Sequence, residues 1–128
     1  MKLTTPKESD VQAQVIDLIH ALGGVAIRTN SGAMKVDNRF IRFNSEPGCS
    51  DVIGVVPHPT RGGVPVALEC KKPNWKPAGT DSKDTERVMR EARQRAFLDK
   101  WVKAGGLGLF VRSVDDLQAA LRLEGFDV

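Results

Sequence analysis

Long apolar runs, paired cysteines and clustered histidines are all missing from this 128-residue chain. No apolar run approaches the ~20 residues that a membrane span requires. The start, Met1-Lys2-Leu3-Thr4-Thr5-Pro6, has none of the apolar stretch of a signal peptide. The expectation is a cytoplasmic protein with no membrane partner. Cys49 and Cys70 form no Cys-x-x-Cys pair, which argues against a zinc cluster or disulfide framework and for reduced, structural thiols. His58 has no acid or cysteine at ligand spacing and His20 falls in a helical stretch, so both read as packing residues rather than catalysts. Internal repeats and low-complexity tracts are absent as well.

What is present suits one compact domain over 1–128, since 41% hydrophobic and 27% charged content supports one core and leaves little room for a second. The net charge of +3 is concentrated rather than spread: residues 72–95 hold seven basic side chains against four acids, and the remainder balances at 12 and 12. Such a segment reads either as a surface for a polyanion or as a solvated helix face with its loop.

Hydrophobic spacing gives the element order α-β-β-β-β-α-β-α. Thr5-Pro6-Lys7-Glu8 has the form of a capped helix start, with Glu8 closing a capping box, and Val11, Val15, Leu18, Ile19 and Leu22 form a buried stripe behind it. Strands are predicted at 25–30, 39–43, 51–56 and 64–71, with 31–34 as a polar connection. The two apolar runs 51–56 and 64–71 suggest central strands covered on both faces. Residues 72–82, with two prolines and a glycine, read as a loop, in which Trp75 either stacks on nucleic acid or pins the loop to the core. A long helix follows over 84–104, with Phe97, Leu98, Trp101 and Val102 as its apolar stripe. Stepping back along that face reaches Gln94, then Arg90 and Arg87, so the helix turns basic towards its start. A strand at 107–112 and a final helix capped by Ser113 complete the chain.

The chemistry concentrates in 48–71. Glu69 and Lys71, two apart on a strand, emerge on one face about 6–7 Å apart at Cα. Asp51 opens the neighbouring strand. Two carboxylates at adjacent strand ends are the minimum for a hard divalent cation such as Mg²⁺ or Mn²⁺, and a lysine beside them can neutralise charge on a phosphoryl oxygen. Glu8 could add a further acid, and Gln94 could hold the lysine. The plainer reading is a strand-end Asp and a Glu-Lys ion pair. Arg28, Ser31, Arg39 and Arg42, on strand faces or beside them, are candidate phosphate contacts, as are Lys72, Lys76, Arg87 and Arg90.

Ser50-Asp51, an apolar strand, and Glu69-Cys70-Lys71, with 17 residues between the acids, resemble the active-site signature of the PD-(D/E)XK nuclease superfamily. The wider pattern resembles its VRR-NUC branch, in the stand-alone form of phages and bacteria. The matching elements are Glu8 and Gln12, Arg28-Thr29-Asn30-Ser31-Gly32, Pro47-Gly48-Cys49-Ser50-Asp51, and Gln94-Arg95-Ala96-Phe97-Leu98 with Gly105-Gly106. They run in order from about residue 8 to 121. The resemblance implies an α/β fold with a restriction-endonuclease-like αβββαβ core, a central mixed sheet flanked by helices. It implies Asp51, Glu69 and the Cys70 backbone carbonyl as metal ligands with Glu8 as an additional acid, Lys71 as the catalytic lysine and Gln94 as its partner. The implied activity is Mg²⁺- or Mn²⁺-dependent, structure-selective cleavage of DNA, including Holliday junctions, in replication, recombination or repair. A homodimer follows for junction cutting, which needs two active sites. The setting would be the cytoplasm of a bacterial cell or phage-infected host. Ser50 stands where the superfamily name has proline, and the 72–83 loop is long for the family. A rival from another class is a non-catalytic nucleic-acid-binding module that keeps the nuclease fold.

Overall fold

The computed structural model describes residues 6–29, 33–42, 48–79 and 83–128. Along the chain run α1 (Glu8–Ala21), β1 (Val25–Arg28), β2 (Ala33–Val36), β3 (Arg39–Arg42), β4 (Val52–His58), β5 (Gly62–Cys70), α2 (Thr85–Lys103), β6 (Leu107–Val111) and α3 (Val114–Leu123). Four strands join in one mixed sheet ordered β1-β4-β5-β6, antiparallel at its first two pairings and parallel between β5 and β6. The parallel step requires a crossover, and α2 supplies it.

β2 and β3 pair only with each other among the described residues. β2 corrects the reading of 31–34 as a connection. Asp37 and Asn38 both take positive φ, 49° and 64°, the backbone of a two-residue hairpin turn that folds Ala33–Val36 back on β3. Asx residues tolerate that conformation better than other side chains, so the Asp-Asn pair is the local cause of the hairpin.

One face of the sheet carries the main core. Val11, Val15 and Ile19 of α1 recur every four residues and are fully buried against Val52, Val56, Val66, Leu68, Cys70 and Val111, with Leu117 and Leu121 of α3 completing the cluster. Each such Val, Leu or Ile contributes roughly 1.5–3 kcal/mol by leaving water. The opposite face is covered only in part. α2 lies on β5 and β6, and the run from Val66 to Cys70 is buried throughout. β4 was expected to be covered on both sides, but Val55 is 46% exposed, beside Val25 at 64% and Ile27 at 57%. α1 packs on the other face of these strands, and on this face Trp101 of α2 borders Val25, Ile27 and Val55 without closing them off from water.

The start of α1 also differs from the sequence reading. Thr5 lies outside the described residues, and the helix begins at Glu8 with Lys7 as its cap. The capping acid is Asp10, whose carboxylate accepts the Lys7 backbone N–H at 2.8 Å. Three residues separate a cap from its capping acid, so a cap at Lys7 selects Asp10 and leaves Glu8 with another role. In α2, Leu98 is buried and Phe97 and Trp101 are half-buried, while Val102 stays 50% exposed. Among the described residues no helix is long and apolar enough to cross a membrane.

Candidate active site

Asp51 is set by what precedes β4. The Ser50 side chain is fully buried and its hydroxyl donates to the Val52 carbonyl at 3.2 Å. Thr29, just past β1, holds both flanks: its hydroxyl donates to the Ser50 carbonyl and its N–H to the Asp51 carbonyl. Gly48 makes the approach possible. Its φ is +74°, and a Cβ there would stand 2.6 Å from the Arg93 carbonyl oxygen of α2, so only glycine lets the loop pass beneath the helix. Asp51 then turns its carboxylate to β5, accepting the Cys70 N–H at 2.8 Å.

On β5 the alternation divides the chemistry from the core. Val64, Val66, Leu68 and Cys70 belong to the α1 and α3 side, and the next positions, Ala67, Glu69 and Lys71, turn to the α2 side. Gln94 of α2 bridges the two charged groups: its amide donates to Glu69 Oε1 at 2.9 Å and its carbonyl accepts from Lys71 Nζ at 3.0 Å. Lys71 Nζ is 3.9 Å from Glu69 Oε1. Both side chains are nearly closed off from water, Glu69 at 4% and Lys71 at 6% exposure. Glu69, Gln94 and Lys71 thus form one hydrogen-bonded group, and the Asp51 carboxylate, held by the Cys70 N–H, stands close enough to act on Glu69 by its charge.

Glu69 Oε2 is buried and has no donor among the described residues. Burial first, then the neighbouring Asp51 carboxylate, push the Glu69 carboxyl up to about 9, with Lys71 pulling the other way and Glu8 adding to the rise. Two acids in this state take up either a proton or a cation. The donor set suits a small hard ion, which needs one or two carboxylates and otherwise keeps water. Among the described residues no group of three or more His, Cys, Asp or Glu side chains stands at metal-holding distance. Glu8 is exposed, and it is felt at the site as charge on Glu69 and Cys70.

Burial, and then Asp51, Glu69 and Glu8, push the Cys70 thiol well above its ordinary range, with Arg28 opposing them. A thiol so held is inert, and Cys49 and Cys70 form no disulfide. Arg28 donates to the Ser9 carbonyl at 3.3 Å, tying the first turn of α1 to the end of β1. Of the other expected phosphate contacts, Arg39, Lys72, Lys76 and Arg90 are exposed. Arg42 ends β3, and Ser31 lies outside the described residues. Arg87 is engaged, donating through Nε to Glu91 at 2.7 Å and through its terminal nitrogen to the Lys76 carbonyl.

Trp75 pins its loop. Its ring stacks on Phe110 with centroids 5.1 Å apart and planes 17° apart, and its N–H donates to Glu91 at 3.3 Å. Glu91 and Phe110 were not singled out from the sequence. Glu91 stood among the acids of a basic run, although its spacing of seven from Leu98 and three from Gln94 puts it on the inward face of α2. Phe110 pairs in register with Glu69 across the parallel strands. The histidines do pack: His58 accepts from the N–H groups of Thr60 and Arg61, donates to the Glu124 carbonyl at 2.9 Å and meets Phe126 edge-on, and His20 accepts from Ala26 N–H.

No protein-family model, curated protein or solved structure matches the chain.

Proposed function

We propose that this chain is a Mg²⁺- or Mn²⁺-dependent DNA endonuclease of the PD-(D/E)XK type, resembling the VRR-NUC branch. It would select branched DNA such as four-way junctions and act as a homodimer in replication, recombination or repair. One observation carries the reading: a buried carboxylate oxygen of Glu69, without a donor among the described residues, lies beside Asp51 and on the same hydrogen-bonded group as Lys71. Apart from the β2-β3 hairpin and α3, the element order is αβββαβ, as a restriction-endonuclease-like core requires.

Asp51 and Glu69 would hold the ion, with the Cys70 carbonyl as a backbone ligand beside them and Glu8 adding negative charge. When bound, the ion supplies Lewis-acid polarisation of the scissile phosphate and lowers the pKa of the attacking water. Gln94 fixes Lys71 by accepting from its ammonium and fixes Glu69 by donating to its carboxylate, so neither reorients as charge develops. Lys71 offers its positive charge to a phosphoryl oxygen at the edge of the acid pair. Arg28, Arg39, Lys72, Lys76 and Arg90 are exposed cations, suited to backbone phosphates rather than base edges.

The test is incubation with four-way junction, flap, linear duplex and single-stranded DNA, with and without Mg²⁺ or Mn²⁺, alongside Lys71→Ala and Glu69→Ala. Metal-dependent nicking of branched DNA that both variants lose is the expected outcome. Equal cleavage by Lys71→Ala would remove the site assignment. Binding that weakens steeply with salt and never leads to cleavage would instead favour a non-catalytic nucleic-acid-binding module.

A further inference from the structure

Glu91 is a buried carboxylate at 6% exposure with three donors, and all three concern the loop that leaves β5. Its Oε1 accepts the Ala78 N–H at 2.9 Å, and its Oε2 accepts Trp75 Nε1 at 3.3 Å and Arg87 Nε at 2.7 Å. Arg87 reaches on to the Lys76 carbonyl. Residues 75–78 are thereby fastened at three places to one turn of α2. A loop that needed only to be tethered could use any of these contacts; fastening all three fixes the orientation of the Trp75 ring.

That ring bears on Lys71. The Lys71 ammonium lies 5.6 Å from the Trp75 centroid and 5.9 Å from the Phe110 centroid, within the range in which a cation is attracted to an aromatic ring. The two rings stack on each other, and Arg95 lies 4.9 Å from the Phe110 centroid. Lys71 thus has the aromatic pair as one wall and Gln94 and Glu69 as another. A lysine side chain has four freely rotating bonds, and the polar wall alone would leave its carbon stem unconfined.

We propose that Glu91 is a positioning residue for Lys71, acting through Trp75: it orients the indole that, with Phe110, confines the lysine ammonium beside the acid pair. This rests on the nuclease reading for its catalytic meaning, but the confinement itself is measurable without any reaction. Methylene protons packed beside two aromatic rings are moved by ring currents, so labelled lysine gives Lys71 a distinct NMR position. The experiment compares wild type with Glu91→Gln, Trp75→Phe and Trp75→Ala by thermal melting, by the Lys71 ε-methylene signal, and by kcat and KM on a four-way junction.

Glu91→Gln and Trp75→Ala are expected to return the Lys71 signal towards the free-lysine position. They should lower kcat by roughly 10- to 100-fold with KM little changed, because a displaced catalytic group costs the reaction step rather than substrate binding. Trp75→Phe, which keeps a ring and loses the N–H, should fall between. In a Lys71→Ala background Glu91→Gln should lower kcat no further, since its effect passes through the lysine. Folded Glu91→Gln with an unmoved Lys71 signal would overturn the proposal, as would a loss of rate that adds in full to that of Lys71→Ala. Should wild type cleave no DNA, the nuclease reading fails, while the Lys71 signal still decides the confinement.

Discussion

Glu69 and Glu91 are buried carboxylates on facing elements with opposite fates. Burial first, then the neighbouring Asp51, raises the Glu69 carboxyl in the folded state to about 9, and one of its oxygens has no donor among the described residues. In an unfolded chain the same group titrates near 4.5. Between those values the folded state holds the extra proton, so stability falls as pH rises through this window. Without divalent cations, melting should show a lower stability at pH 8 than at pH 5.5, and Glu69→Gln should remove much of that slope and stabilise the protein at pH 8 by about 1–3 kcal/mol. A slope unchanged in Glu69→Gln would mean that another group is responsible. Burial pushes the Glu91 carboxyl up, but the Ala78 N–H, the Arg87 guanidinium and the Trp75 N–H outweigh it and hold the group below its ordinary value. Its stabilisation is present above the unfolded pKa and is lost as pH falls through the lower folded one. Indole fluorescence should therefore change as the solution is acidified below about pH 4.5, and this change should be absent in Glu91→Gln. Glu69 and Lys71 are legible as neighbours in the sequence because strand alternation puts them on one face, and Asp51 because it stands where the adjacent apolar strand begins. Glu91 is not, because its donors Trp75 and Ala78 come from a loop with no periodicity to read.

The elements show where local signals suffice and where packing decides. The stripe Val11, Val15, Ile19 specifies α1, but its first turn depends on which residue caps it. Asp10→Ala should cost about 0.5–1.5 kcal/mol in a urea melt by freeing the Lys7 N–H. Glu8→Gln should leave stability within about 0.5 kcal/mol, as surface substitutions do, and weaken divalent-ion affinity by removing a nearby charge. If Glu8→Gln destabilises as Asp10→Ala does, Glu8 is a structural residue after all. The loop before β4 depends on α2 above it: Gly48→Ala should lose roughly 1–3 kcal/mol from its positive φ, with more from the approach of the Arg93 carbonyl, and should disturb Asp51 with it. The glycine is visible in the sequence, but the helix passing over it is not. The partial covering of β4 was equally hidden, since apolar runs read alike whether a helix covers both faces or one.

Over the whole molecule the concentrated positive charge and the buried acid group separate two contributions. Lys72 and Lys76 are exposed in the loop that follows Lys71, where they would meet the proposed polyanion apart from the Asp51–Glu69 pair. Replacing both with alanine should lower DNA affinity, reduce the slope of affinity against salt by roughly one to two phosphate contacts, and leave divalent-ion affinity unchanged. Filter binding across a salt series checks the first part, and unchanged affinity would place the DNA elsewhere. The mixed sheet was expected only through the resemblance and its strand order was not legible at all, because a one-residue alternation says which face a side chain takes and not which strand lies beside it. The most direct measurement is calorimetric titration of Mn²⁺ at pH 7 in buffers of differing ionisation enthalpy, which counts both ions bound and protons released. With Glu69 protonated before the ion arrives, binding should release about one proton per ion in wild type, and Asp51→Asn and Glu69→Gln should bind weakly or not at all. Absence of binding by wild type, or binding undiminished in both variants, would contradict the assignment of Asp51 and Glu69 as the cation site.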